Sequence, residues 1–409
     1  MNTANRWSVL VVGCVVWMSA GRAGAQDWPQ WRGPNRDGKA AGFTAPADWP
    51  KELTQKWKVT VGDGVATPAL VGERLYVFSR QEGNEITRCL NVATGDEIWQ
   101  DKYEAQGATG PASSFSGPRS SPVVSQGKVV TLGVRGTLSC LDASSGTKIW
   151  RKNDFQDSLP RFFTSCSPIV VNGQVIVQLG GEGGGAIVAY DLARGEEKWK
   201  WTGDGTAYAS PVLLALESTE EIVAETAKYI VGLSAADGKL LWQVPFAVQG
   251  RAYNAATPIV EGDTVIYSGA GRGTFAVKIE KQGDTVAARE LWNNKDNGVQ
   301  FNTPIVKNGL VFGISDRDML FCINPQGGQT AWTTRTDGGR GYGSIVDAGP
   351  VLLALTPAGT LRVLEPSDKD YKELASYKVA DGGTYAYPVI SGKRIFVKDK
   401  DAVTLWLVD

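Results

Sequence analysis

One recurring spacing constrains the fold of this chain more than any other feature. In each instance an Asp, Asn or Ser opens a turn, a glycine closes it, and a tryptophan follows the glycine by four residues. The five instances are Asn91–Trp99, Asp142–Trp150, Asp191–Trp199, Ser234–Trp242 and Asn324–Trp332. Short polar side chains accept hydrogen bonds from amides across a turn, and glycine tolerates the positive φ that ends it. The spacing therefore predicts hairpins whose last strand carries an indole.

These hairpins belong to a longer unit of about 40 to 50 residues, a period typical of repeat folds. Each unit opens with a small, hydroxyl or tyrosine residue before proline, followed by a β-branched run and a turn glycine. The openings are Thr67-Pro68, Ser121-Pro122, Ser167-Pro168, Ser210-Pro211, Thr257-Pro258, Thr303-Pro304 and Tyr387-Pro388, with Ser344-Ile345 in the remaining place. The pattern predicts four short strands in each unit.

The number of units follows from the aromatic residue that each unit carries in its last strand. These residues are Trp57, Trp99, Trp150, Trp199, Trp242, Trp292, Trp332 and, by position, Tyr377. The final unit lacks its last strand, the one that carries Trp. Leu53–Thr60 has the pattern of such a strand, and no other strand precedes it in the sequence. We therefore predict an all-β, eight-bladed β-propeller with four antiparallel strands per blade, in which the N-terminal strand closes the last blade. The irregular seventh unit leaves a seven-bladed ring as the alternative.

The first residues have the pattern of an export signal. Arg6 precedes the apolar run Trp7–Ala20, and small residues lead to a cleavage site after Ala25. The predicted divisions are a signal peptide at 1–25, a Trp-rich lead segment with a linker at 26–51, and the propeller at 52–409. The protein is expected in the periplasm or outside the cell. A lipid anchor on Cys14 is the alternative, because Val11–Cys14 resembles a lipoprotein box.

Composition excludes several classes of function. Forty-two basic against 43 acidic residues leave a net charge of −1, which gives no field for a nucleic acid partner. The chain has no histidine, so a Ser-His-Asp triad and a His-ligated zinc site are excluded.

The cysteines after Cys14 are predicted to be buried, inert thiols. Cys89, Cys140 and Cys322 share one repeat position, where other units carry small or apolar residues, and Cys166 is the fourth. The alternative, two disulfides in an exported protein, is less consistent with this placement.

The turn at Asp191–Trp199 and its equivalents resemble the repeat of pyrroloquinoline-quinone (PQQ) propellers. The segment Asp27–Gly38 also resembles the opening of secreted proteins with such repeats. This resemblance implies one of two classes: quinoprotein dehydrogenases, which hold PQQ and Ca²⁺ on the propeller axis, or BamB-like scaffolds, which bind protein.

The features that the resemblance requires of a dehydrogenase are mostly missing. No two cysteines are adjacent, although such enzymes have a vicinal disulfide. Glu182, within the glycine run Gly180–Gly185, resembles a calcium-ligand loop, but that loop is shortened and lacks its usual arginine. We therefore expect no cofactor, with PQQ and Ca²⁺ as the alternative and Glu182 as the metal-ligand candidate in that case.

The segments that lead into each first strand are predicted to converge on one face of the ring, here called the funnel face. Aromatic, arginine and amide side chains concentrate there and are typical of binding hot spots, although strand-edge packing is a competing explanation. The candidate binding residues are Arg119, Arg161, Tyr208, Arg251, Asn254, Phe301, Tyr342 and Tyr385.

The predicted function is a non-catalytic, exported and monomeric scaffold. It would bind a protein or peptide, for example one of the outer membrane or cell envelope, through the funnel face. A PQQ-dependent dehydrogenase of alcohols or sugars and a carbohydrate-binding propeller are the alternatives. Trp28 and Trp31 are predicted to pack on the side of the propeller, with a second interaction surface as the alternative.

Overall fold

The structure, a computed structural model, describes residues 27–409 except 182, 249, 251 and 284. In this part of the chain, eight four-stranded antiparallel sheets follow one another as blades. The prediction of eight blades is confirmed, and the seven-bladed alternative is wrong. The predicted signal peptide and Cys14 lie outside the described residues.

The first blades each contain four consecutive strands. In blades 1 and 2 they are β2 Ala69–Val71, β3 Arg74–Gln81, β4 Asn84–Asn91, β5 Glu97–Glu104, β6 Val123–Ser125, β7 Lys128–Leu132, β8 Leu138–Asp142 and β9 Lys148–Lys152. In blades 3 and 4 they are β10 Ile169–Val171, β11 Gln174–Leu179, β12 Ala186–Asp191, β13 Glu197–Trp201, β14 Val212–Leu216, β15 Thr219–Glu225, β16 Tyr229–Ser234 and β17 Leu240–Pro245.

The second half repeats this order until the last blade. In blades 5 and 6 the strands are β18 Ile259–Glu261, β19 Thr264–Gly269, β20 Gly273–Gln282, β21 Thr285–Asn294, β22 Ile305–Lys307, β23 Leu310–Ile314, β24 Met319–Asn324 and β25 Gln329–Arg335. In blades 7 and 8 they are β26 Ser344–Ala348, β27 Val351–Leu355, β28 Thr360–Leu364, β29 Glu373–Lys378, β30 Val389–Ser391, β31 Arg394–Lys398 and β32 Ala402–Leu407.

The fourth strand of blade 8 comes from the other end of the chain. Strand β1, Thr54–Thr60, pairs antiparallel with β32, placing Trp57 opposite Leu405. The predicted closure is confirmed. It joins the two ends of the repeat array and covers a sheet edge that would otherwise be free to pair with another chain.

Indoles hold neighbouring blades together. The indole N–H of an outer-strand tryptophan donates to a backbone carbonyl of the next blade in five places. The pairs are Trp57 to Val92 at 2.9 Å, Trp99 to Ala143 at 3.2 Å, Trp150 to Leu192 at 3.0 Å, Trp199 to Ala235 at 3.1 Å and Trp332 to Ser367 at 2.8 Å. The repeated tryptophan therefore adds a directed bond to the apolar contact between blades.

The turn glycine of one blade lies against the tryptophan of the blade before it. Gly238 has a φ of 72°, and a Cβ built there would lie 2.5 Å from Cε3 of Trp199. Glycine is therefore required at this turn for its positive φ and also because the indole leaves no space for a side chain. The sequence pattern revealed only the first reason.

The cysteine prediction is confirmed, because Cys89, Cys140, Cys166 and Cys322 are buried and free. The connection 106–118 between blades 1 and 2 contains the 3-10 helix Gly110–Phe115. That helix is the only helix in the described part of the chain. No helix there is long and apolar enough to span a membrane.

The lead segment lies on the axis of the ring. Trp28 is fully buried and forms a bridge with Leu70, on the first strand of blade 1. Pro29 O accepts from Val124 N of blade 2 at 2.7 Å, and Ala40 N donates to Asp347 O of blade 7 at 2.7 Å. These partners all belong to first strands, which surround the axis. The segment does pack against the protein, but the predicted position on the side of the propeller is wrong.

We predict that Gly238→Ala destabilises the protein more than Gly262→Ala. Both residues have a positive φ, but a Cβ at Gly262 meets nothing within 4 Å. Gly262→Ala should therefore cost only the backbone strain, about 1 kcal/mol. Gly238→Ala should cost about 2 kcal/mol more, because the new methyl group collides with Trp199. Denaturant unfolding measures both losses, and equal losses would contradict the indole contact.

Candidate functional site

The connections between blades line two adjoining cavities. One, of about 1080 Å³, has Arg161, Tyr208 and Asn254 in its lining, and the other, of about 310 Å³, lies in the central channel. Each unit opens at a proline, or at Ile345 in the seventh unit. The residues three positions before these openings all line the cavity in the central channel, as the repeat predicts. They are Val65, Arg119, Ser165, Tyr208, Ala255, Phe301, Tyr342 and Tyr385. The structure thus brings together Arg119, Tyr208, Phe301, Tyr342 and Tyr385 from the predicted binding set.

A closed ring of hydrogen bonds surrounds the base of this cavity. The residue before each proline donates its N–H to the side-chain oxygen of the equivalent residue in another blade. We call these residues the hydroxyl belt. The bonds are Thr67 to Ser121 at 3.0 Å, Ser121 to Ser167 at 2.9 Å, Ser167 to Ser210 at 2.8 Å, Ser210 to Thr257 at 2.9 Å, Thr257 to Thr303 at 3.2 Å, Thr303 to Tyr387 at 3.1 Å and Tyr387 to Thr67 at 2.9 Å.

The belt explains two features of the repeat. A hydroxyl residue precedes proline because its oxygen receives the N–H of a neighbouring blade. Blade 7 begins at Ser344 without a proline and takes no part in the belt. Instead, the longer side chain of Tyr387 in blade 8 reaches blade 6. Its hydroxyl accepts from Thr303 N and donates to Thr303 O at 3.2 Å. The tyrosine in the last unit therefore compensates for the irregular seventh unit.

Seven aromatic rings form the upper part of the cavity, and we call them the aromatic wall. They are Phe115, Phe162, Tyr208, Tyr253, Phe301, Tyr342 and Tyr385. Phe301 stacks on Tyr342 with centroids 4.3 Å apart and planes at 7°, whereas Phe115 meets Tyr385 edge-on at 4.8 Å. Phe162 meets Tyr253 at 4.7 Å. Such offset and edge contacts stabilise the rings beyond their burial.

Phe115 and Phe162 also belong to the site, although the sequence did not predict them there. Both lie in connections between blades, Phe115 at the end of the 3-10 helix and Phe162 before the first strand of blade 3. The only signal was an aromatic side chain within a connection, and nothing in the repeat fixes where such a connection packs.

Arg119 holds these two connections together. Its guanidinium donates to Phe115 O at 2.8 Å, to Ala112 O at 3.4 Å and to Phe162 O. Burial lowers the pKa of this guanidinium from its usual value. Arg119 was predicted to contact a partner, but its donors are directed to the protein itself, so it positions the aromatic wall.

The other predicted residues have different environments. Asn254 is buried, donates to Thr226 O at 2.8 Å and accepts from Arg272 at 2.6 Å, so its amide is hydrogen-bonded within the fold where it lines the larger cavity. Arg161 is exposed, with its Cζ 5.3 Å from the centre of the Phe162 ring. Arg251 and Glu182 lie outside the described residues.

The lead segment supplies the floor of the cavity. Trp31 lines it, and the Cζ atoms of Arg32 and Arg36 lie 5.6 and 5.5 Å from the centre of the indole. Arg36 donates to Pro168 O at 2.8 Å in blade 3, and Arg32 donates to Pro304 O at 2.8 Å in blade 6. The segment thus spans the channel, and the cavity is a pocket with one open end.

Arg32 and Arg36 are buried cations. The two residues are 0% and 3% exposed, and their guanidiniums form no ion pair within the described residues. Burial lowers both pKa values, that of Arg36 to about 9. Cation–π contact with Trp31 offsets part of this desolvation.

The described lining does not fit the calcium–quinone pair that a dehydrogenase would hold. Ca²⁺ takes about six to eight oxygen ligands, among them carboxylates. Arg119 is the only charged side chain among the described residues that line the cavity in the central channel, so no carboxylate is present in that lining. Elsewhere in the described part of the chain, no three His, Cys, Asp or Glu residues are grouped for a metal ion.

A family model described as outer membrane protein assembly factor BamB matches residues 82–334. The outer membrane protein assembly factor BamB of Yersinia pestis is 23% identical over 84% of this chain and 86% of its own length. The quinohemoprotein alcohol dehydrogenase of Comamonas testosteroni is 30% identical, but the match covers 37% of this chain and only 22% of that protein.

Solved structures of both classes share the fold. The structure of BamB from Moraxella catarrhalis aligns with a TM-score of 0.66 and 16% identity, covering 87% of this chain and 99% of its own. That of the Comamonas testosteroni dehydrogenase aligns with a TM-score of 0.69 and 16% identity, covering 93% and 80%. At this identity the alignments establish the propeller and leave the activity open.

We predict that Arg119→Ala loosens the connections that carry Phe115 and Phe162. The change removes three hydrogen bonds from a charged donor, so amides in 110–118 should exchange with deuterium at least tenfold faster. Arg161→Ala is the control, because that side chain is exposed. Unchanged exchange in Arg119→Ala would show that the guanidinium does not hold these connections.

Proposed function

The chain belongs to the family described as outer membrane protein assembly factor BamB, and from this premise we propose that it is an exported, non-catalytic propeller scaffold. In this proposal the funnel face binds a protein partner of the cell envelope. The observation that carries the proposal is the aromatic wall at the open end of a channel whose other end is filled by the lead segment.

The chemistry of the pocket supports recognition. Tyrosine and arginine are enriched in binding hot spots, and Arg161 adds an exposed cation next to Phe162 at the rim. General acid–base catalysis needs a positioned group that titrates near neutral pH. The described pocket lining offers tyrosine hydroxyls and Arg119, and burial raises the pKa of Tyr208 and Tyr342 further from neutrality.

Two observations favour a scaffold over a PQQ-dependent dehydrogenase. The sequence match to the dehydrogenase covers 22% of that protein, whereas the match to the Yersinia pestis BamB covers 86% of its length. The described lining also lacks the carboxylates that a calcium ion requires. We therefore propose that the protein works without a quinone.

Partner capture by the full chain tests this function. We expect Arg161→Glu to reduce recovery of the native envelope partner at least tenfold after crosslinking in cells, because the charge at the rim is reversed. Arg194→Glu is the matched control, since Arg194 is also exposed but lies on an outer turn of blade 3. Quantitative mass spectrometry compares the two variants with the wild type.

Two results would contradict the proposal. One is equal capture by Arg161→Glu and the wild type. The other is a bound-quinone absorption band, with dye reduction by alcohols or sugars, when PQQ and Ca²⁺ are added to the purified protein.

A further inference from the structure

The base of the cavity presents hydrogen-bond donors toward the axis. Six members of the hydroxyl belt are Ser or Thr and line the cavity: Thr67, Ser121, Ser167, Ser210, Thr257 and Thr303. Each oxygen already accepts a backbone N–H. A hydroxyl has one hydrogen to donate as well. In the described part of the chain none of these six hydrogens is used within the protein, so they are free to bond a ligand.

The charges around this base favour an anion. Arg32 and Arg36 lie within 5.6 Å of the centre of the floor indole, Trp31, and neither is neutralised by an ion pair within the described residues. Both are almost completely buried, where charges are poorly screened. No Asp or Glu lines the described cavity. The base therefore combines O–H donors with a positive potential.

The upper part of the cavity favours a flat apolar group. Phe301 and Tyr342 are stacked, and Phe162 and Tyr253 meet edge-on beside them. A ligand ring placed among them gains stacking contacts. The volume of about 310 Å³ is that of a small-molecule site, and it reaches the surface at the exposed residue Pro111.

We propose that this cavity binds a carboxylate that bears an aromatic ring, with the ring against the aromatic wall and the carboxylate at the hydroxyl belt. The inference rests on the proposed function, because it specifies what the funnel face recognises. Two sources share this chemistry: a free aromatic acid, and the C-terminal aromatic residue of a partner chain inserted into the pocket.

Isothermal titration calorimetry of the full chain tests the proposal with defined probes. The acids are 3-phenylpropionate and the tripeptide Gly-Gly-Phe with a free C-terminus. Their neutral counterparts are 3-phenylpropionamide and the amidated tripeptide, and acetate lacks the ring. We expect at least one acid to bind at least tenfold more tightly than its amide, since a hydrogen bond to a charged group contributes that much. The same acid should also bind more tightly than acetate, which makes no ring contacts with the aromatic wall. The acid that binds identifies the source.

A matched pair of variants assigns the carboxylate to the belt. Ser210→Ala removes a hydroxyl that lines the cavity and accepts from Ser167 N at 2.8 Å. Ser268→Ala removes a buried hydroxyl that accepts from Val299 N at 3.0 Å but does not line the cavity. We expect Ser210→Ala to weaken binding of the acid about tenfold and Ser268→Ala to leave it unchanged.

Three results would overturn the proposal: no binding of either acid by the folded protein, equal binding of acid and amide, or wild-type affinity in Ser210→Ala. These measurements test ligand binding at the base of the cavity, whereas partner capture by Arg161→Glu tests the rim. Failure here with intact partner capture would reject the ligand class and leave the scaffold function in place.

Discussion

The hydroxyl belt is the interaction on which the rest of this propeller depends. Each blade is a small sheet that cannot bury both of its faces alone, so stability comes from contacts between neighbours. On the outside these contacts are the indoles, and on the axis they are the seven hydrogen bonds that run from Thr67 around to Tyr387. Each such bond contributes only about 1 kcal/mol. Together they fix the radius of the channel and the direction of every connection that enters it.

The lead segment uses the space that the belt encloses. Placing Arg32 and Arg36 out of water is costly, and the carbonyls of Pro304 and Pro168 offset part of that cost through hydrogen bonds from opposite sides of the ring. The consequence is an asymmetric channel. One end is filled by Trp28 and its neighbours, and the other keeps the aromatic wall accessible. This asymmetry is why we place recognition on the funnel face.

The repeat made most of the fold predictable from the sequence. The spacing in Asp191–Trp199 and its equivalents predicted strand number, blade number and closure by Trp57, because each rests on local turns and a constant period. The convergence of Tyr208, Phe301, Tyr342 and Tyr385 followed from the same register. The roles of Arg119 and Asn254 could not be predicted, since they depend on which carbonyls lie within reach in three dimensions. The position of Trp31 was missed because the lead segment stands outside the repeat.

Hydrogen–deuterium exchange of the full chain shows whether the lead segment is part of the ring and leaves the cavity with one open end. The amides of Trp28, Gly38 and Ala40 donate to Leu70 O, Arg32 O and Asp347 O at 2.7 to 2.9 Å. We expect these amides to exchange as slowly as those of the inner strands of the blades, while the linker at 44–48 exchanges rapidly. Exchange of the lead-segment amides within seconds would contradict this expectation.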